Sequence, residues 1–219
     1  MTNVTNVESI NNQGKVEELL NAISHGIGAF LAIAGTCVML VLSARKGVAL
    51  DIVSASIYCF SLICLYMMST LYHSMRVYSI KRIFQKFDHC SIFLLIVGSY
   101  APICLSLLGG ALGWTLFSVN LFFALLGIVA NAISVKKWSK LSLILYLLMG
   151  WSAIIIIKPL LDLISFYGFV PLLLGGVFYS VGVLFFIAKR PHAHAIWHLF
   201  VLCGSIFHYF FILNIVASA

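Results

Sequence analysis

Five side chains carry the chemistry of this sequence: Ser69, His73, Asp88, His194 and His198. His194 and His198 are four residues apart, so on a helix both rings project from one face, one turn apart. Ser69 stands in the same relation to His73. Three imidazoles are sufficient protein ligands for Zn²⁺ and leave its fourth position for water. The set therefore predicts a zinc site, with Asp88 as hydrogen-bond partner or general base for the water and Ser69 as an orienting group.

The same histidines have less specific interpretations. Any one of them alone is more often an interfacial or hydrogen-bonded core residue than a ligand, and histidine pairs with this spacing also occur by chance. Their coincidence with an aspartate, in a chain so poor in polar groups, favours a metal. The spacing fits a structural zinc as well as a catalytic one.

Other polar residues near these runs receive separate predictions. His89 and His192 are expected to face lipid headgroups. His208 lies about 15 Å beyond His198 at 1.5 Å per residue, too far to share the site, and is expected to make an interior hydrogen bond. Glu18, Asn21 and His25 have helical spacing near the start of the chain and are candidates for a supporting role at the site. His25 is also a further candidate ligand.

The composition places these residues in a membrane. Apolar residues make up 63% of the 219 and charged residues 9%, and the mean hydropathy is +1.11. A soluble domain usually has about 45–50% apolar and about 25% charged residues. So few charges cannot cover a water-facing surface, which excludes a soluble enzyme and a disordered chain. The six cysteines stand singly in apolar runs and predict buried free thiols rather than a disulfide scaffold.

Helices rather than strands are expected to cross the membrane, because the apolar runs are about 20 residues long and do not alternate. The prediction is an all-α integral membrane protein with seven transmembrane helices in one domain over 22–219. A polar cytoplasmic tail and amphipathic lead-in over 1–21 precedes it. Pro102 is expected to kink the third helix. The predicted segments are 22–43, 50–72, 88–108, 112–135, 141–157, 168–188 and 194–216.

The basic residues are unevenly distributed among the loops. With seven crossings, the N-terminal tail and the second, fourth and sixth loops share one side, which holds ten of the thirteen Lys and Arg residues. The positive-inside rule then predicts a cytoplasmic N-terminus and an outside C-terminus in the inner or plasma membrane. The expected partners are membrane lipids, with anionic headgroups facing the basic loops. No nucleic acid is expected, and no soluble protein partner is identifiable.

Several runs of this sequence resemble the bacterial haemolysin III family, the bacterial branch of the progestin and adipoQ receptors, which include the adiponectin receptors. The runs cover nearly the whole chain in order and contain the Ser-xxx-His, Asp and His-xxx-His set. They are EELLNAISHGIG (17–28), STLYHS (69–74), FDHCSIFLLIVGSYAPI (87–103), MGW (149–151), GGVFYSVG (175–182) and HAIWHLFVLCGSIFHYF (194–210).

The resemblance implies a seven-helix fold with a cytoplasmic N-terminus. It implies zinc held by His73, His194 and His198, with Asp88 beside the zinc-bound water and Ser69 in the same motif. The large N-terminal domain of the animal receptors has no counterpart in this sequence, so hormone binding is not expected.

The resemblance leaves three functions open. The wider superfamily includes alkaline ceramidases, which implies zinc-dependent hydrolysis of a lipid amide or ester. The second function is a sensor or regulator of membrane state in which zinc ties helices together. The third, a pore-forming cytolysin, is disfavoured because a pore needs a polar path across the bilayer and the outer loops are almost uncharged.

The predicted orientation is testable by accessibility labelling. A single cysteine introduced into loop 75–87 should react with a membrane-impermeant maleimide only after the cells are opened, because the basic loops face the cytoplasm. A cysteine at the C-terminus should react in intact cells. Labelling of loop 75–87 in intact cells would contradict the orientation and move the histidine set to the other leaflet.

Overall fold

The computed structural model describes residues 14–217, and these form helices joined by short connections. A π-helical segment, Pro102–Leu108, follows the third helix, and a 3₁₀ segment, Trp151–Ile156, follows the fourth. The α-helices are α1 Lys15–Lys46, α2 Ala49–Ser74, α3 Tyr78–Ala101, α4 Gly110–Gly150, α5 Ile157–Leu163, α6 Phe166–Ile187 and α7 Ala193–Ala217.

The helices have the length and composition of membrane spans. Six helical stretches of the described chain are long and apolar enough to cross a bilayer. Large apolar side chains cover their outer faces, with Phe30 73% and Ile133 67% exposed. Such a surface is stable in lipid rather than in water, and the prediction of an all-α membrane protein is confirmed. Seven spans were predicted, but the described chain has six such stretches, because the fourth and fifth predicted segments fall within one stretch, Gly110–Leu163, of 54 residues.

That stretch folds back on itself at Ser134. The φ and ψ angles of Ser134, −160° and 107°, are not helical. The Ser142 hydroxyl donates to Asn131 Oδ1 at 2.9 Å, although a straight helix would separate these residues by about 16 Å along its axis. Farther along, the Asn120 side-chain amide donates to Ser152 Oγ at 3.0 Å. The arms of α4 before and after Ser134 therefore lie side by side and run in opposite directions.

Two helices begin seven or more residues earlier than the predicted segments. α3 begins at Tyr78, ten residues before the predicted start, so Asp88 lies well inside the helix and not at its opening. The first turns of α3 carry Lys81, Arg82 and Lys86, and a hydropathy window therefore reads them as a loop. α1 begins at Lys15 and includes the end of the predicted 1–21 lead-in; residues 1–13 of that segment lie outside the described residues. The kink predicted at Pro102 takes the form of the π-helical segment.

α1 is the helix that joins the bundle together. It packs between α2 and α7, while α3 packs between α2 and α4, and α6 packs against α7. The Tyr209 hydroxyl of α7 donates to Gly35 O at 2.8 Å, and Lys46 Nζ donates to Ile215 O at 3.2 Å. Lys46 also pairs with Asp51 at 2.9 Å. The first and last helices are thus fixed together along most of their length.

The close contact between α3 and α4 gives a test of this packing. A Cβ atom on Gly127 would overlap the ring of Phe93, which is fully buried. We expect Gly127→Ala to lower the free energy of unfolding by about 1–3 kcal/mol, the usual cost of overpacking, measured by denaturant unfolding in detergent. Gly150→Ala is the matched control, because no atom lies within 4 Å of its added Cβ. Equal stability of the two variants would contradict the α3–α4 contact.

Candidate metal centre

Three histidines from two helices converge inside the bundle. His73 lies in the last turn of α2, and His194 and His198 lie in the first turns of α7. One ring nitrogen from each belongs to a group whose atoms all lie within 4.8 Å of one another. Zn–N bonds of about 2.0–2.1 Å in a tetrahedral site place ligand atoms roughly 3.4 Å apart. The three predicted ligands are thus already close to the spacing that zinc requires.

The Nε2 atom of each of these histidines is buried without a hydrogen bond. The Nε2 atoms of His73, His194 and His198 have no partner among the described residues. A buried polar atom without a partner costs about 1–3 kcal/mol in proteins. Three such atoms at one point are better explained by a shared ligand than by three independent costs, and the donor set fits a metal ion.

Hydrogen bonds to the opposite ring nitrogens support the same conclusion. His73 Nδ1 lies 3.0 Å from Glu18 Oε2, and His198 Nδ1 lies 3.3 Å from the backbone oxygen of Asn21. A carboxylate and a carbonyl only accept, so each Nδ1 carries the proton that it donates. The neutral ring then presents the Nε2 lone pair to the centre of the cluster.

Glu18 is itself held by a buried lysine. Lys81 Nζ donates to Glu18 Oε2 at 2.8 Å, and Lys81 is only 4% exposed. The ammonium also lies 4.8 Å from the centroid of the Tyr72 ring. The sequence placed Lys81 in a cytoplasmic loop and missed this role. The available signal was its spacing, because Lys81 is seven residues, or about two helical turns, before Asp88 and so shares its inward face.

Asp88 and Ser69 lie in the same part of the bundle but outside the group of three close ligand atoms. Asp88 is 7% exposed and lines the cavity described below. Ser69 is 1% exposed, one turn before His73, and its Oγ has no hydrogen-bond partner in the described chain. Their roles as general base and orienting group stay predictions.

The remaining histidines have different environments. The His25 ring stacks on His198 with centroids 3.6 Å apart and lies outside the close ligand group. His208 Nε2 lies 3.2 Å from Leu172 O, which confirms its predicted interior hydrogen bond. His192 is exposed in the connection before α7 and His89 is half-buried within α3, and their orientation towards lipid headgroups stays a prediction.

A mainly apolar cavity begins beside the histidines. It lies between α3, the second arm of α4, α6 and α7, with His25 and Asp88 among its lining residues. Along α7 its lining extends from Trp197 to His208, about 16 Å at the helical rise. That distance is about half of the roughly 30 Å hydrocarbon core of a bilayer. The cavity therefore has the polarity and length to hold one acyl chain.

A bundle of membrane helices with a buried histidine cluster defines a multi-pass membrane protein with a candidate metal centre. The chain belongs to the haemolysin-III related family, whose model matches residues 13–209. Over 198 residues it is 42% identical to Hemolysin-3 of Bacillus cereus, covering 90% of each chain. It is 46% identical to the Hemolysin-3 homolog of Bacillus subtilis (strain 168), covering 90% of this chain and 93% of the relative. The family resemblance noted in the sequence is confirmed.

A more distant relative extends the similarity to animals. The human monocyte to macrophage differentiation factor is 29% identical over 169 residues, which cover 72% of this chain and 68% of the relative. All the candidate site residues lie within the part of the chain that the family model matches. The chain is accordingly a multi-pass protein of the cell membrane.

The metal content of the purified protein tests the histidine cluster. We expect about one zinc per chain, because three neutral imidazoles suit this ion. The double variant His194→Ala/His198→Ala should lose the metal, while His192→Ala, at an exposed position, should keep it. Elemental analysis of the three proteins provides the measurement. Wild-type zinc content in the double variant would contradict the site.

Proposed function

We propose that this protein is a zinc-dependent hydrolase of lipid amides or esters that acts in membrane homeostasis. The observation that carries the proposal is the position of three partnerless Nε2 atoms, those of His73, His194 and His198, beside an apolar cavity inside the bundle. These nitrogens would hold a zinc ion, which would supply Lewis-acid chemistry by polarising a carbonyl and activating water at neutral pH.

The chain's own residues have distinct parts in this proposal. The apolar cavity holds the acyl chain and excludes water, so that the carbonyl group of the lipid lies at the histidine end. Asp88, buried on the cavity wall, accepts the proton of the attacking water as general base. The hydroxyl of Ser69, which has no hydrogen-bond partner in the described chain, orients the lipid carbonyl or the water.

We also propose seven crossings, with the N-terminus in the cytoplasm and the C-terminus outside. The antiparallel arms of α4 support two crossings within the 54-residue stretch Gly110–Leu163. The placement of ten of the thirteen Lys and Arg residues on one side supports the orientation. The histidine cluster then lies at the depth of the cytoplasmic leaflet, and lipids of that leaflet are the proposed partners and substrates.

A sensor of membrane state with structural zinc is the second candidate function. One ligand is on α2 and two are on α7, and both of these helices pack extensively against α1. A metal ion between them would clamp one side of the bundle without any turnover. Lipid hydrolysis is preferred because a clamp needs no apolar cavity beside the metal.

Pore formation is the third function, and it is also the one that the names of the Bacillus relatives suggest. A pore needs a continuous polar path across the membrane. The cavity in this protein is lined mainly by aliphatic and aromatic side chains, such as Ile92, Leu95 and Val201. This lining disfavours the conduction of water or ions.

The Asp88→Asn variant separates an enzyme from a clamp. It should keep most of its zinc, since Asp88 is not among the three ligands, and lower turnover by roughly 10²–10⁴, the usual effect of losing a general base. Asp162→Asn, at an exposed position, is the control and should retain activity. The measurement is mass spectrometry of ceramides, phospholipids and acyl amides incubated with each protein. If wild type forms no product above the level of the His194→Ala/His198→Ala variant, the hydrolase proposal fails.

A further inference from the structure

We infer that Glu18 and Lys81 are positioning residues of the metal centre: the carboxylate of Glu18 fixes the orientation and tautomer of His73, and Lys81 fixes the carboxylate. The inference rests on the proposed zinc site. It adds a support that joins α1 and α3 to the two helices that carry the ligands.

The contacts form a short chain of charged hydrogen bonds. Glu18 Oε2 lies 3.0 Å from His73 Nδ1 and 2.8 Å from Lys81 Nζ. The side chains of Lys81 and His73 are 5% and 1% exposed, and that of Glu18 is 14% exposed. Hydrogen bonds to a charged partner are shorter and stronger than neutral ones, and they strengthen further away from water.

The chemistry of a carboxylate explains why an acid stands at this position. An ionised carboxylate only accepts hydrogen bonds, so it selects the ring with the proton on Nδ1 and leaves Nε2 free to bind a metal. The side-chain nitrogen of Asn21 lies 3.5 Å from the same His73 atom. The carboxylate is both closer and charged, so the Nδ1–H group of His73 donates its hydrogen bond to Glu18.

The buried lysine needs an explanation that zinc ligation alone does not supply. A lysine inside a membrane protein is costly unless it is paired, and Lys81 is paired with Glu18, which contacts the candidate ligand His73. Its ammonium group, 2.8 Å from Glu18 Oε2, holds the carboxylate turned towards His73. Because Lys81 and Asp88 lie two turns apart on α3, the same pair also fixes the position of Asp88 along the axis of the bundle.

The affinity for zinc tests this inference independently of activity. We expect Glu18→Gln to weaken zinc binding by about 10–100-fold, the usual effect of losing an outer hydrogen-bond partner of a metal ligand. The measurement is competition with a chromogenic chelator in detergent. Glu17→Gln is the matched control, since it removes the same charge from the same helical turn, and it should bind zinc like wild type.

Two further readouts distinguish positioning from a general effect on folding. Cobalt substituted for zinc should show visible absorption bands in Glu18→Gln that differ from those of wild type and of Glu17→Gln, because the orientation of His73 changes. Lys81→Met should weaken zinc binding, and adding it to Glu18→Gln should cause no further loss, because Lys81 acts through Glu18. Should Glu18→Gln fail to fold by circular dichroism, Glu18→Asp replaces it and should give an intermediate affinity.

The outcomes separate this inference from the proposed function. A wild type that binds no zinc overturns both. A wild type that binds zinc tightly, with unchanged affinity and cobalt spectrum in Glu18→Gln, overturns the positioning role and leaves the metal centre in place. Equal loss of affinity in Glu17→Gln and Glu18→Gln also overturns it, since the cause would then be the charge of the helix start.

Discussion

The bundle is organised by the need to pair its few polar side chains away from water. An unpartnered polar group in an apolar environment costs about 2–7 kcal/mol, and a charged one within a membrane is more costly still. The ion pairs of the described residues lie at two points. At one, Glu18 and Lys81 adjoin the histidines; at the other, Lys46 pairs with Asp51, which accepts a hydrogen bond from Ser106. α1 reaches both points, and it packs between α2 and α7.

The sequence predicted those features that depend on local spacing. Apolar length located the apolar helices of the described chain, although it put the start of α3 ten residues too late, and the i, i+4 relation placed His194 and His198 on one face of α7. His73 joins them because the end of α2 lies beside the start of α7, with the His73 ring 5.3 Å from that of His194 and 4.9 Å from that of His198. Residue type, helical spacing and the family resemblance were therefore sufficient to name these three histidines. They left open whether a metal bound there would be catalytic or structural.

Features that depend on contacts between distant residues were not predictable in this way. The segments predicted at 112–135 and 141–157 already separate near the reversal at Ser134, but the side-chain contacts across it, such as that of Asn131 with Ser142, were not predictable. Lys81 was assigned to a loop because a hydropathy average treats every lysine as solvated. Its partner, Glu18, is 63 residues away along the chain. No local pattern reports such a pair, and its burial becomes evident only in the assembled bundle.

The contact between the first and last helices has a consequence for biogenesis. Asn21, near the start of α1, accepts a hydrogen bond from His198, 177 residues later. A nascent chain that has been synthesised only as far as Ile187 has inserted its first helices but contains one of the three clustered histidines. The polar face of α1 must therefore wait in the membrane, without its final partners, until α7 leaves the ribosome and inserts. The three clustered histidines can come together only after the chain has been synthesised as far as His198.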